Sequence, residues 1–217
     1  MLYWVAWGIL RLVNRLFFRW QVSGSENFPA TGGAILASNH VSALDPFIAG
    51  TAIRRKVHFM AKEEIFASSP LVAFLARNVG AFPVRRGEAD RQAIRTALHL
   101  LGSGEVVGIF PEGTRSQDGQ LQQAQTGIAF LARKGKIPVV PVAVCGTEAI
   151  LPKGAKLPRP ARVKVFIGRP LYAEDETAPS TGEPGAQHDS LRRFSDRVME
   201  EIARLQAEAA RVGRRGA

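Results

Sequence analysis

The sequence predicts an α/β fold: a single layered domain with a mostly parallel central sheet flanked by helices, preceded by an amphipathic N-terminal helix. Two observations carry this. Short apolar runs bounded by turn residues alternate with stretches in which apolar residues recur every three or four positions. The alternation of strand and helix signals is the pattern of a layered sheet rather than of a bundle or a sandwich. A chain of 217 residues, 46% of them hydrophobic, is also long enough to bury a sizeable core.

The first segment is residues 1–22. Arg11, Arg15 and Arg19 recur every four residues and would form one basic stripe on a helix. Trp4, Trp7, Leu12, Phe17, Phe18 and Trp20 populate much of the remaining surface, and these include all three tryptophans of the chain. Indoles favour the lipid headgroup layer and arginine binds anionic lipid. The segment therefore reads as an anchoring helix lying in the plane of an anionic phospholipid membrane, the alternative being a helix packed on the domain or on another subunit. Three arginines make a transmembrane span costly. A signal peptide is disfavoured, because arginine interrupts the apolar stretch and no small-residue cleavage site follows.

The α/β domain is assigned to residues 23–172. After a turn at residues 23–25 and a loop at residues 29–33, strands are predicted over residues 34–37, 57–60, 81–84, 106–110, 139–144 and 163–167. Helices are predicted over residues 43–53, 70–78, 90–101 and 127–134. Residues 173–189 are acidic and rich in Pro, Gly, Ser and Thr, the composition of a mobile linker. Residues 190–217 follow as a C-terminal helix, with Leu191, Phe194, Val198, Ile202 and Leu205 as its apolar stripe and a basic tail behind it.

Charge and cysteine content narrow the function. Lys and Arg number 29 against 19 Asp and Glu, a net charge of +10. Such an excess points to a polyanionic partner: nucleic acid, an anionic membrane surface or a phosphorylated substrate. No stacking-aromatic or zinc pattern supports nucleic acid. The single cysteine, Cys145, excludes an intrachain disulfide and fits a reducing compartment; within an apolar run it reads as an inert thiol. The four histidines are scattered and no Cys-x-x-Cys occurs, so no metal site is expected.

Four clusters carry chemistry, and each falls at or beside a predicted strand, where α/β sheets collect function at carboxyl ends. The first is Asn39-His40-Val41-Ser42-Ala43-Leu44-Asp45, an imidazole and a carboxylate spaced to form a hydrogen-bonded pair. The aspartate would fix the tautomer and leave the other ring nitrogen to take a proton; helix capping is the competing use of such residues. The second, residues 80–87, delivers Arg85 and Arg86 beside a glycine. The third is Phe110-Pro111-Glu112-Gly113-Thr114-Arg115-Ser116, a turn with a guanidinium, hydroxyls and backbone N–H groups close together. These are the usual means of holding phosphate, though a solvated basic turn and a surface ion pair look the same in sequence. The fourth is residues 137–147, where two prolines bracket an apolar strand containing Val140, Pro141 and Val142; it suits a wall for an alkyl chain or an ordinary buried strand. Ser42 and Ser116 lie in no Gly-x-Ser-x-Gly elbow, so a serine hydrolase is rejected.

In this order the clusters resemble the glycerolipid acyltransferases, most closely the bacterial lysophosphatidic acid acyltransferase branch. Asn39, His40 and Asp45 match N-H-x-x-x-x-D. Gly80, Phe82 and Arg85 match G-x-F-x-x-R, residues 110–116 match F-P-E-G-T-R-S without a change, and residues 140–142 match V-P-V. The resemblance spans residues 28–168. One departure is Ala124-Gln125-Thr126, where relatives often carry Phe-Lys before the glycine aligned to Gly127.

The resemblance implies an enzyme that transfers an acyl group from acyl-CoA or acyl carrier protein to the free hydroxyl of lysophosphatidic acid at the cytoplasmic face of a membrane, with no cofactor. It implies His40 and Asp45 as the catalytic pair, and Arg85, Arg115 and Lys62 as ligands of the acceptor phosphate. Glu112, Gly113 and Thr114 become candidates for the oxyanion or phosphate site, and Val140, Pro141 and Val142 for the acyl-chain wall. Another acceptor (glycerol-3-phosphate or a lyso-aminolipid) and a non-catalytic membrane-binding module are the alternatives.

Overall fold

Side chains alternate across the central strands and build two cores, one on each face of a single seven-stranded sheet. The computed structural model describes residues 2–78, 80–85, 90–116, 118–150, 157, 159–173 and 185–214. Its strands are β1 (Gln21–Ser23), β2 (Ala34–Ser38), β3 (Val57–Lys62), β4 (Phe82–Val84), β5 (Val106–Ile109), β6 (Val139–Cys145) and β7 (Lys164–Ile167). They lie in the order β1-β7-β6-β2-β5-β3-β4, parallel throughout except for the β6–β7 pair. β2 sits at the centre, paired with β5 and β6, and all five of its residues are buried. Burial on both faces explains why Ala-Ile-Leu-Ala reads as an unbroken apolar run.

Helices α1 (Leu2–Phe17) and α2 (Asp45–Ala52) cover one face. Ile48, Ala49 and Ala52 of α2 pack there with Leu36, Val140, Val142 and Val165. Helices α5 (Arg91–Gly102), α6 (Gly127–Gly135) and α8 (Ala186–Arg214) cover the other, through Ala97, Leu101, Ile128, Leu131, Phe194 and Ile202. The short helices α3 (Glu63–Ser68), α4 (Pro70–Asn78) and α7 (Thr147–Ile150) fill the connections. A 3₁₀ turn, Ser25–Asn27, follows β1.

Besides the short helices α3 and α7, which the sequence reading lacks, three features depart from it. The strand β1 is absent from it, because three residues carry no apolar run. β1 forms by pairing with β7, Val22 opposite Val165. Its entry is set by Phe18, whose carbonyl accepts from Val163 N at 2.9 Å. The second departure is at α1. The helix ends at Phe17, so Arg19, with φ of 40°, leaves the basic stripe. Phe18 and Trp20 turn inward against the α2-side core rather than toward a lipid headgroup layer. Arg11 is also drawn in: it lies over the rings of Trp7 and Trp20 at 4.9 and 5.0 Å and donates to the Thr51 carbonyl. Third, α8 begins at Ala186, inside the predicted linker; residues 174–184 of that linker lie outside the described residues.

Phe18 is 8% exposed and joins the N-terminal segment to the core. Phe18→Ala is expected to cost about 3 kcal/mol or more in urea unfolding, the range for truncating a buried phenylalanine. A midpoint unchanged from the parent chain would show that this segment is not integral to the domain.

Candidate active site

The loops that leave β2, β5 and β6 at their carboxyl ends meet around His40. The first of them opens on Asn39, whose side-chain amide acts as one more sheet residue. Its Nδ2 donates to Val144 O at 2.9 Å, and its Oδ1 accepts from Val144 N at 2.8 Å. The next residue, His40, is buried with its Nδ1 2.9 Å from Asp45 Oδ2. Asp45 is fully buried at the first residue of α2, and the same Oδ2 accepts from Val41 N and Ser42 N, both at 2.7 Å. Its Oδ1 accepts from the Thr147 hydroxyl at 2.6 Å. A carboxylate so surrounded by donors stays an acceptor, and places the ring proton on Nδ1 and the lone pair on Nε2.

Glu112, from the Phe-Pro-Glu-Gly turn after β5, is the second buried carboxylate. Oε1 accepts from His40 N at 2.9 Å and Oε2 from Gln122 N at 3.0 Å. Burial pushes its carboxyl above the ordinary range, against these two N–H groups that favour the ionised form. Ser116 N closes the junction by donating to His40 O at 2.8 Å. Both backbone groups of His40 are therefore held by the third cluster. Phe110 stacks on the imidazole with centroids 4.0 Å apart and planes 16° apart, and Phe59 continues the stack at 5.6 Å. Gly108 makes room for Phe59, since a Cβ there would come within 2.4 Å of its ring.

A cavity of ≈ 420 Å³ opens beside His40. Phe59, Phe110, Lys62 and Arg115 line it, and α1 and α2 close it with Tyr3, Trp7, Leu10, Phe47 and Gly50. Lys62 and Arg115 are both exposed and so stand at its mouth. The structure thus brings His40, Asp45, Lys62 and Arg115 to one place.

Other residues singled out in sequence fall elsewhere. Arg85 is exposed outside the cavity lining, with Nε 2.8 Å from Glu63 Oε2; it follows β4, the edge strand, three places from β2 in the sheet. Arg86 and Gly87 lie outside the described residues. Val140, Pro141 and Val142 are sheet core between β2 and β7 and do not line the cavity: β6 is covered on both faces. The Gly113 N–H donates to Phe110 O at 3.0 Å, and the Glu112 carboxylate is engaged as described. Those two groups serve the turn, and Thr114 is exposed beside them. Thr147 belongs to the fourth sequence cluster but had no role there; a hydroxyl two residues past a buried strand end was the available signal.

Comparison with known proteins finds relatives of this chain. A family model described as Acyltransferase matches residues 19–145. The 1-acyl-sn-glycerol-3-phosphate acyltransferase of Bacillus subtilis is 37% identical over 157 residues, covering 71% of this chain and 75% of that protein. The chloroplastic 1-acyl-sn-glycerol-3-phosphate acyltransferase BAT2 of Brassica napus is 31% identical over 160 residues, which are 72% of this chain but 46% of that one. Among solved structures, the 1-acyl-sn-glycerophosphate (LPA) acyltransferase PlsC from Thermotoga maritima superimposes with a TM-score of 0.71 at 28% identity, covering 93% of this chain and 80% of that chain.

Cys145, at the end of β6 near Asp45, is excluded as a nucleophile by its environment: burial, then the Glu148 charge, pushes its thiol up to about 11. At pH 8 only about one thiol in a thousand is then ionised. Alkylation by iodoacetamide at pH 8 is expected to be slow in the folded protein and rapid in guanidinium chloride, followed by mass spectrometry.

Proposed function

The chain belongs to the acyltransferase family, and on that premise we propose that it acylates the free sn-2 hydroxyl of 1-acylglycerol-3-phosphate. The donor is the thioester of acyl-CoA or acyl carrier protein, and the product is phosphatidic acid for phospholipid biosynthesis. One observation carries this reading. An Asp45-oriented imidazole lies in the wall of an apolar cavity whose mouth holds two cations, Lys62 and Arg115. Such a cavity fits a molecule with an alkyl tail, an anionic head and a hydroxyl between them.

The chemistry follows from the pair. Nε2 of His40 takes the proton of the acceptor hydroxyl, and the oxygen attacks the thioester carbonyl. The tetrahedral adduct collapses by cleaving the C–S bond, and the imidazolium returns its proton to the leaving thiolate. Ester and free thiol are the products, and no acyl-enzyme forms. Lys62 and Arg115 grip the phosphate and so hold the hydroxyl against the base. The apolar walls from α1, α2 and β3 take the hydrocarbon. Glu112 and Phe110 act through His40, by fixing its backbone and its ring plane.

The same reading places α1 at a membrane surface. Val5, Ile9, Leu12 and Leu16 form a stripe on it, each more than half exposed. Phe47 and Ile65 extend exposed apolar surface to the cavity mouth. A stripe of this kind buries itself in the interfacial layer, and the exposed Arg15 and Arg19 suit anionic headgroups. Among the described residues no helix is long and apolar enough to cross a membrane. We assign the protein to the cytoplasmic membrane surface as a peripheral or monotopic enzyme.

Thiol release from acyl-CoA or acyl carrier protein should depend on added 1-acylglycerol-3-phosphate. His40→Ala is expected to lower the turnover by on the order of 10²–10⁴. Arg115→Ala should raise KM for the acceptor more than KM for the donor. Thiol release at full rate without acceptor would identify a thioesterase instead. Separately, the double change Leu12→Glu and Leu16→Glu should reduce co-sedimentation with anionic vesicles about ten-fold or more while leaving the circular dichroism spectrum unchanged. Undiminished sedimentation would remove α1 as the membrane contact.

A further inference from the structure

Asp45 has two oxygens with unequal surroundings, and the difference singles out a residue beyond the His-Asp pair. Oδ2 receives three donors: the imidazole and the N–H groups of Val41 and Ser42. Oδ1 receives Thr147 Oγ1 at 2.6 Å. Neither Asp45 nor Thr147 has any exposed surface, so solvent does not replace this donor. We propose that Thr147 is a positioning residue of the reaction: by holding Oδ1 it fixes the plane of the Asp45 carboxylate and so the direction of the His40 ring. The proposal rests on the acyl-transfer reading above.

The chain builds this contact deliberately. Thr147 is the first residue of α7, and Gly146 before it has φ of 93°. A Cβ on Gly146 would meet Arg162 O at 2.2 Å, so the turn that aims the hydroxyl requires glycine. The Asn39–Val144 amide bridge ties the same strand end to the residue preceding His40. The hydroxyl and the imidazole thus address one carboxylate from two loops that are locked to each other. Without the Thr147 hydroxyl on Oδ1, the buried carboxylate concentrates negative charge toward the partners that remain on Oδ2, the imidazole among them. The other charged or titratable groups around the pair are Glu112 from the turn after β5, Lys62 of β3, Arg115 and Cys145 of β6.

The test compares Thr147→Val, which keeps the shape and removes the hydroxyl, with Thr147→Ser, which keeps the hydroxyl. Thr147→Ala serves as the hydroxyl-free variant if valine prevents folding. Acceptor-dependent thiol release should fall about ten-fold in turnover for the hydroxyl-free variant, with KM for the acceptor unchanged. The acid limb of its pH–rate profile should move to higher pH. Serine should restore both. The Nδ1–H proton resonance of His40, read in the resting protein without substrate, should move downfield in the hydroxyl-free variant and return with serine. A turnover, pH limb and resonance all equal to the parent protein would overturn the proposal. So would a loss of turnover that serine does not repair. A parent protein that shows the resonance shift on substitution but no acceptor-dependent thiol release would sustain the positioning of His40 and instead defeat the substrate reading.

Discussion

A carboxylate leaves water only where N–H and O–H groups replace its hydration, and this site is organised around two that do so. Asp45 and Glu112 are buried at the carboxyl end of the sheet in a chain whose net charge is +10. Between them they accept six hydrogen bonds, from His40 twice, Val41, Ser42, Gln122 and Thr147. Those donors belong to the loops after β2, β5 and β6. Satisfying the acids therefore means bringing the three loops together, and bringing them together sets the imidazole. Removal of the Thr147 hydroxyl would strip Asp45 Oδ1 of its donor and leave a buried acceptor unpaired, which costs more than the bond itself contributed. The geometry of the imidazole is in this sense a by-product of the need to solvate two buried carboxylates without water.

What the sequence revealed and what it hid divide along a physical line. Strands buried on both faces announce themselves, because nearly every residue is apolar; β2, β5 and β6 are of this kind. The His40–Asp45 pair was equally legible, since a strand end followed by a helix start fixes how far apart the two side chains lie. β1 was invisible because its three residues become a strand only by pairing with β7, more than a hundred residues later. Arg85 illustrates the limit for long cations. Sequence placed it past a strand end, but the side chain's direction depended on Glu63, on a helix too short for its period to be read. The V-P-V run was ambiguous by nature: an alkyl-binding wall and a core strand demand the same residues. The structure assigns it to the core. Pro141 faces β7 where that strand ends, and its carbonyl accepts from Gly168 N at 2.8 Å.

In the N-terminal segment, composition marks a surface and packing decides which of its residues face outward. Aromatic and arginine content marked residues 1–22 as unusual, and α1 does present an apolar face to the outside. Yet Trp7 donates from its indole to Ile53 O, Arg11 reaches Thr51 O, and Asn14 bonds the Thr51 hydroxyl. Those residues fasten the helix to α2. Helical periodicity places side chains on faces, but which face meets protein is decided by what the fold offers as a partner.

Tyr3, Ala6, Trp7 and Leu10 of α1 are also walls of the cavity beside His40. The first helix is thus a part of the cavity wall, while α8 runs over the opposite face of the sheet. An affinity tag, fluorophore or fusion partner joined at the amino terminus would pull on the cavity's own wall. The same addition after α8 would be separated from it by the full thickness of the sheet.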